Sequence, residues 1–144
     1  RVMDVCTRLN DTVALAALAS CIMRMLWRLR MRNQRWRLYT PMLIRENRWR
    51  AMRYSFDEGL IDLAQGQVRP FDELLDELCS LISEDAKALG CEKEIKGVHD
   101  ILTRGTSAHR QLRDYELERA SGATAEEALK SVVDTLITDT TEGL

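Results

Sequence analysis

Fifteen residues, Val13 to Trp27, carry a single charge, Arg24. The run contains no glycine or proline, is rich in alanine and leucine, and is apolar nearly all round. Such a segment forms a helix that is deeply buried or held between two layers, because no single apolar stripe could satisfy it. Its small residues, Ala14, Ala16, Ala17, Ala19 and Ser20, let a neighbouring backbone come close. Extended to Thr12–Leu29, the run is interrupted by Arg24 and Arg28, which argues for a core helix and against a membrane span. No signal-peptide pattern is present, and a cytoplasmic protein is expected.

Charge is distributed unevenly around this helix. Up to Arg53 the chain has twelve arginines, no lysine and three acids, a local charge of about +9. From Tyr54 onward nine bases face twenty acids, about -11, so the net charge of -2 conceals two opposed halves. Arg28, Arg30, Arg32, Arg35 and Arg37, interleaved with Trp36 and Tyr39, mark the exit from the apolar helix. They read as a solvated or acid-paired face.

At 144 residues, 45% hydrophobic and 31% charged, the chain suits one folded domain. It divides into an Arg-rich helical front over residues 1–55, a β-hairpin over 56–70 and an acidic helical bundle over 71–144. Arg1 to Cys6 alternates polar and apolar as a short strand does, and needs a sheet supplied from elsewhere. Asn10, Asp11 or Thr12 can cap the apolar helix. Pro41 opens a second helix to Tyr54, with Arg45, Trp49 and Met52 on one face and Glu46 placed to pair with Arg50. Gly59 to Pro70 predicts a hairpin turning at Ala64-Gln65-Gly66. Beyond it, a 3-4 apolar repeat from Phe71 to Ile82 predicts a helix, Ser83-Glu84-Asp85 begins another, and Gly90 caps it. Glu92–Arg104, Ser107–Ala120 and a final helix behind the capping box Thr124-Ala125-Glu126-Glu127 complete the bundle. The fold class is therefore mainly α.

Cys6, Cys21, Cys79 and Cys91 form no C-x-x-C pair, and with His99 and His109 they make no zinc spacing. Cys91 reads as a cap-region residue and His109 as a helix-surface residue. Two non-catalytic functions compete. Arginine interleaved with aromatic residues between Arg24 and Tyr54 suits a nucleic-acid backbone groove, although the pI of about 5.8 and the lack of a recognition motif make that partner unlikely. The apolar helix also suits a protein-interaction module or a homo-oligomer contact.

One pattern is more specific than charge. Asn47-Arg48-Trp49-Arg50-Ala51-Met52-Arg53-Tyr54, followed by Gly59-Leu60-Ile61-Asp62, resembles glutamate–cysteine ligase family 2, the ATP-dependent carboxylate–amine ligases, whose pattern is Asn-Arg-x-x-Ala-x-Arg-Tyr-Gly with Leu-Ile-Asp shortly after. Arg1-Val2-Met3-Asp4 looks like the end of the family's Glu-x-Arg-x-x-Asp strand. Leu89-Gly90-Cys91-Glu92 and Ile101 to Gln111 resemble its C-terminal helical region. Ser55 departs from the pattern, standing where the family has glycine.

The resemblance implies that the chain is the helical C-terminal part of a longer α+β ligase with a glutamine-synthetase-like antiparallel sheet. It implies amide formation through an acyl phosphate, as in joining glutamate to cysteine, with ATP, Mg2+ and amino acids as ligands and the N-terminal remainder of the same protein as partner. Arg48 and Arg53, then Asn47 and Arg1, are the residues it marks for binding substrate or ATP phosphates. The front of the chain offers no carboxylate cluster, since Asp4 and Glu46 stand alone, so a Mg2+ site built from this chain by itself is not expected. The chain by itself is therefore expected to be inactive.

Overall fold

A computed structural model describes residues 6–36 and 38–142. The predicted strand at Arg1–Cys6, and with it Arg1, lies outside the described residues but for Cys6. Those residues are mainly helical: α1 (Leu9–Met31), α2 (Pro41–Tyr54), α3 (Phe71–Leu81), α4 (Ser83–Leu89), α5 (Glu92–Arg104), α6 (Ser107–Ala120) and α7 (Ala125–Thr141). A two-stranded antiparallel sheet, β1 (Leu60–Asp62) with β2 (Gln67–Arg69), separates α2 from α3. Two compact units result, one from residues 1–20 and 90–144, the other from residues 21–89.

In the unit of residues 21–89, Cys21 and Met25 of α1 are buried, as are Leu75 of α3, Ile82 and Ala86. The 3-4 repeat that builds α3 continues through Ile82 to position 85, so an acid falls on the core side of α4. Asp85 is fully buried and takes both of its partners from α1. Arg24 Nη1 donates to its Oδ1 at 2.6 Å, and Arg28 donates to both oxygens, Nη2 to Oδ2 at 2.8 Å and Nε to Oδ1 at 3.2 Å. The fork geometry of Arg28 suits a carboxylate. Its hydrogen bond, more than the charge of Arg24, holds the Asp85 carboxyl below the usual range against the opposing effect of burial. Arg28 and Arg32 also approach Glu84. Part of the basic segment is thus acid-paired, as expected.

In the other unit, α6 packs along α7 and a second ionic network gathers at the start of α1. Arg110, buried on α6, donates to Asp139 Oδ2 at 2.6 Å, to Thr7 Oγ1 at 3.1 Å and to the Gly105 carbonyl at 3.2 Å. Arg8 meets the other oxygen of Asp139 at 3.0 Å. Asp11 pairs with Arg104 rather than capping α1. His109 also takes an unforeseen local role, since its Nδ1 faces the Thr106 amide and hydroxyl in a capping box. The capping box at Thr124 and Glu127 forms as predicted, and Cys91 is the N-cap of α5.

α1 departs from expectation in one respect. It is long and apolar enough to cross a membrane by length and composition, yet only 17% of its most apolar window is buried. The paired Arg24 and Arg28 mark its second half as one wall of a protein core. Its other side is bare: Met23, Trp27 and Met31 are 59–67% exposed.

Candidate functional site

The hairpin forms where its turn chemistry requires. The Asp62 carboxylate accepts from the amides of Ala64 and Gln65, and the Gly66 amide closes onto the Asp62 carbonyl at 2.7 Å. Those backbone amides, with Arg69 across the strand pair, hold the Asp62 carboxyl below its usual range. Phe56 and Phe71, ring centres 6.1 Å apart, pack at the base of the hairpin.

α2 grips this hairpin with one side. Asn47 places its whole amide on the backbone of Ile61, Nδ2 donating to the carbonyl at 2.8 Å and Oδ1 accepting from the amide at 2.7 Å. One residue thereby does what a neighbouring strand would do. Three positions on, Arg50 donates to the carbonyls of Glu58 at 2.7 Å and Gly59 at 3.2 Å. The expected Glu46–Arg50 pair is not found among the described residues, because Arg50 turns to these carbonyls instead. Replacing Asn47 with Ala strips both groups of Ile61 of their partner. The expected cost is about 2 kcal/mol, from two part-buried hydrogen bonds, measured as a lower midpoint in urea unfolding.

The opposite side of α2 is cationic and solvent-facing. At 100° per residue, Arg48, Met52, Arg45, Trp49 and Arg53 fall in that order across an arc of about 140°. All five are exposed. Trp49 stands edge-on to Tyr54 at 5.5 Å between ring centres. The four sequence-marked residues therefore separate. Asn47 is a positioning residue on the gripping side. Arg48 and Arg53 lie on the exposed side at its two margins, and Arg1 lies outside the described residues. Arg50 was not singled out, although its i, i+3 relation to Asn47 puts both on one side of α2.

Beside the hairpin is a cleft of about 320 Å³, lined chiefly by Trp36, Tyr39, Asn47, Leu60, Leu74 and Glu77. Neither Arg48 nor Arg53 lines it. Among the described residues no cluster of three His, Cys, Asp or Glu side chains could hold a metal ion.

Ser55 closes α2 with φ +55° and ψ -120°, a conformation that favours glycine. This is the position at which the chain departs from the Tyr-Gly of the motif it resembles. Ser55→Gly is expected to raise stability by about 1 kcal/mol, seen as a higher melting temperature.

The motif residues thus form a built element, a helix clipped to a hairpin with arginines on its far side. Comparison with known proteins places that element. The family model for glutamate–cysteine ligase family 2 matches residues 1–135. The chain belongs to that family. It is 54% identical over 140 residues to a Rhodospirillum rubrum protein named "Putative glutamate–cysteine ligase 2", covering 97% of this chain and 36% of that protein. Proteins of the same name from a Jannaschia species and Paracoccus denitrificans are 48% and 44% identical over 96% and 95% of this chain, and 36% of each of them is covered. The chain thus spans about a third of the length of these relatives. No solved structure matches it.

Proposed function

We propose that this chain is the C-terminal, helical portion of an ATP-dependent carboxylate–amine ligase of the glutamate–cysteine type, acting in the cytoplasm. The observation that carries the reading is the family match over residues 1–135, coinciding with a structured Asn47–Asp62 motif that presents arginines. In the reaction, a carboxylate oxygen attacks the γ-phosphorus of ATP and ADP leaves, giving an acyl phosphate. An amine nitrogen then attacks the acyl carbon, phosphate departs, the nitrogen loses a proton, and an amide remains.

The oxygens in these steps carry dense negative charge, and guanidinium groups bind such oxygens in a forked, two-bond fashion. Arg48 and Arg53 are assigned that task, with Arg45 between them. Asn47 and Arg50 fix the helix against the hairpin so that the arginines project from a rigid support. The residues here do not fit a Mg2+ site, so metal ligands belong to the rest of the polypeptide and no step is assigned to them. The glutamine-synthetase-like antiparallel sheet belongs there too, and the chain alone is inactive.

The test is ATP turnover by the full-length protein with glutamate and a panel of amino-acid amines. Phosphate release that needs both substrates supports the assignment. No carboxylate-dependent ATP turnover with any amino acid overturns it. Arg53→Lys keeps the charge and loses the fork, so kcat/KM is expected to fall about tenfold or more. Unchanged kinetics remove Arg53 from the site.

A further inference from the structure

The second half of α1 is a two-sided helix. Cys21 and Met25 are buried, and Arg24 and Arg28 reach the buried Asp85. Met23, Trp27 and Met31, spaced i, i+4, i+8, are exposed by 67%, 59% and 65%. At 100° per residue these three lie within about 80° of one another, and Met23 lies roughly 160° from both Cys21 and Met25. Leu26, 37% exposed, extends the stripe toward a groove of about 750 Å³ lined by Arg30, Arg35, Trp36 and Leu38. Among the described residues neither Arg30 nor Arg35 forms an ion pair. A long apolar stripe rimmed by unpaired cations is an interaction surface rather than ordinary scattered exposure. Methionine and tryptophan suit it, one adaptable in shape and the other large and rigid.

We infer that the Met23–Trp27–Met31 stripe is the seat of the remaining polypeptide of the full-length ligase, through an apolar layer whose rim carries carboxylates facing Arg30 and Arg35. The inference rests on the proposed ligase reading for the existence of that polypeptide. Two observations select this occupant. The chain covers 97% of itself but only 36% of the Rhodospirillum rubrum relative, so a body nearly twice its size is joined to it there. The helix also buries only one of its two apolar sides within its own unit, while a helix apolar all round is stable only when both are covered. The cationic rim excludes a basic partner by like-charge repulsion.

The test is hydroxyl-radical footprinting of the full-length ligase, read by mass spectrometry, with the same residues in the unfolded protein as controls. Oxidation of Met23, Trp27 and Met31 is expected to be at least about tenfold slower than that of the controls, at every protein concentration. Equal oxidation rates overturn the inference. Protection that vanishes on dilution, with a matching dimer-to-monomer shift in sedimentation, overturns it in favour of a second copy. Co-sedimentation of the full-length protein with anionic phospholipid vesicles, with protection only in their presence, overturns it in favour of a membrane surface. A folded Trp27→Glu variant should lose protection at Met23 and Met31, and retained protection also overturns the inference. ATP turnover is scored separately: protection without turnover sinks the ligase reading and leaves the docking surface, while turnover without protection does the reverse.

Discussion

Asp85→Ala should be among the most damaging single substitutions in the chain, costing about 3 kcal/mol or more of stability. Asp85 is fully buried and answers two arginines of α1. Removing it leaves Arg24 without its counter-charge and Arg28 with only the exposed Glu84, and breaking a buried pair from one side commonly costs about 3–5 kcal/mol. The lower end applies because the arginine side chains are 30% and 16% exposed and keep some contact with water. Urea unfolding followed by circular dichroism gives the number, and a midpoint shift equivalent to less than about 1 kcal/mol would show that the pair holds nothing together. The same carboxylate sets a pH dependence. Its folded-state pKa is depressed, by the Arg28 hydrogen bond first. Asp139 is depressed as well, the Arg110 hydrogen bond and the charges of Arg110 and Arg8 outweighing burial. Groups of this kind contribute stability that is full above their unfolded pKa and is lost as pH falls through the folded one. Stability should therefore hold from neutral pH down to about 4 and decline below it, and Asp85→Asn should flatten part of that decline.

Gly59→Ala is the second large effect, and it acts locally. Gly59 is buried with φ +66°, and a Cβ there would stand 2.2 Å from the Arg69 carbonyl oxygen, a backbone atom of the partner strand's end. Left-handed backbone costs alanine about 1–2 kcal/mol, and relieving the clash requires the strands to part, for a total of about 3–4 kcal/mol. The hairpin would open and Arg50 would lose its Gly59 acceptor. Hydrogen exchange should show the amides of Ile61 and Gly66 exchanging at least about a hundredfold faster, while α6 and α7 keep their protection. Gly66→Ala is the control, since a Cβ there meets nothing within 4 Å and meets only the strain of φ +72°.

Much of the fold is legible from local signals. The hairpin, the helix from Phe71 and the capping box at Thr124 follow from turn residues, a 3-4 repeat and a Thr-x-x-Glu, each complete within a few residues. What escaped depends on partners distant in sequence. Asp85 sits in a helix's first turn, where an acid is ordinarily a surface residue favoured by the helix dipole. Only its place on the continuing apolar repeat hints that it is buried. Arg110 meets Thr7 and Asp139 across more than a hundred and about thirty residues respectively, and no local spacing encodes that. The site divides the same way. The Asn47–Asp62 motif coincides with a built element, but its residue types alone do not reveal that Asn47 clips the hairpin. Asn47 and Arg48 are adjacent in the motif yet point about 100° apart on α2, one onto the backbone of Ile61 and the other exposed.

The Asn47 amide also settles which way the small sheet can grow. With β1 and β2 in register as Leu60 to Arg69 and Asp62 to Gln67, the backbone groups of Ile61 face away from β2. Asn47 occupies both. A further strand is thereby refused on the β1 edge, which is sealed by a single side chain. The edge beside Val68, itself half exposed, carries no such side-chain seal among the described residues. The hairpin thus has a polarity: one flank is finished within its own motif, and the other is not.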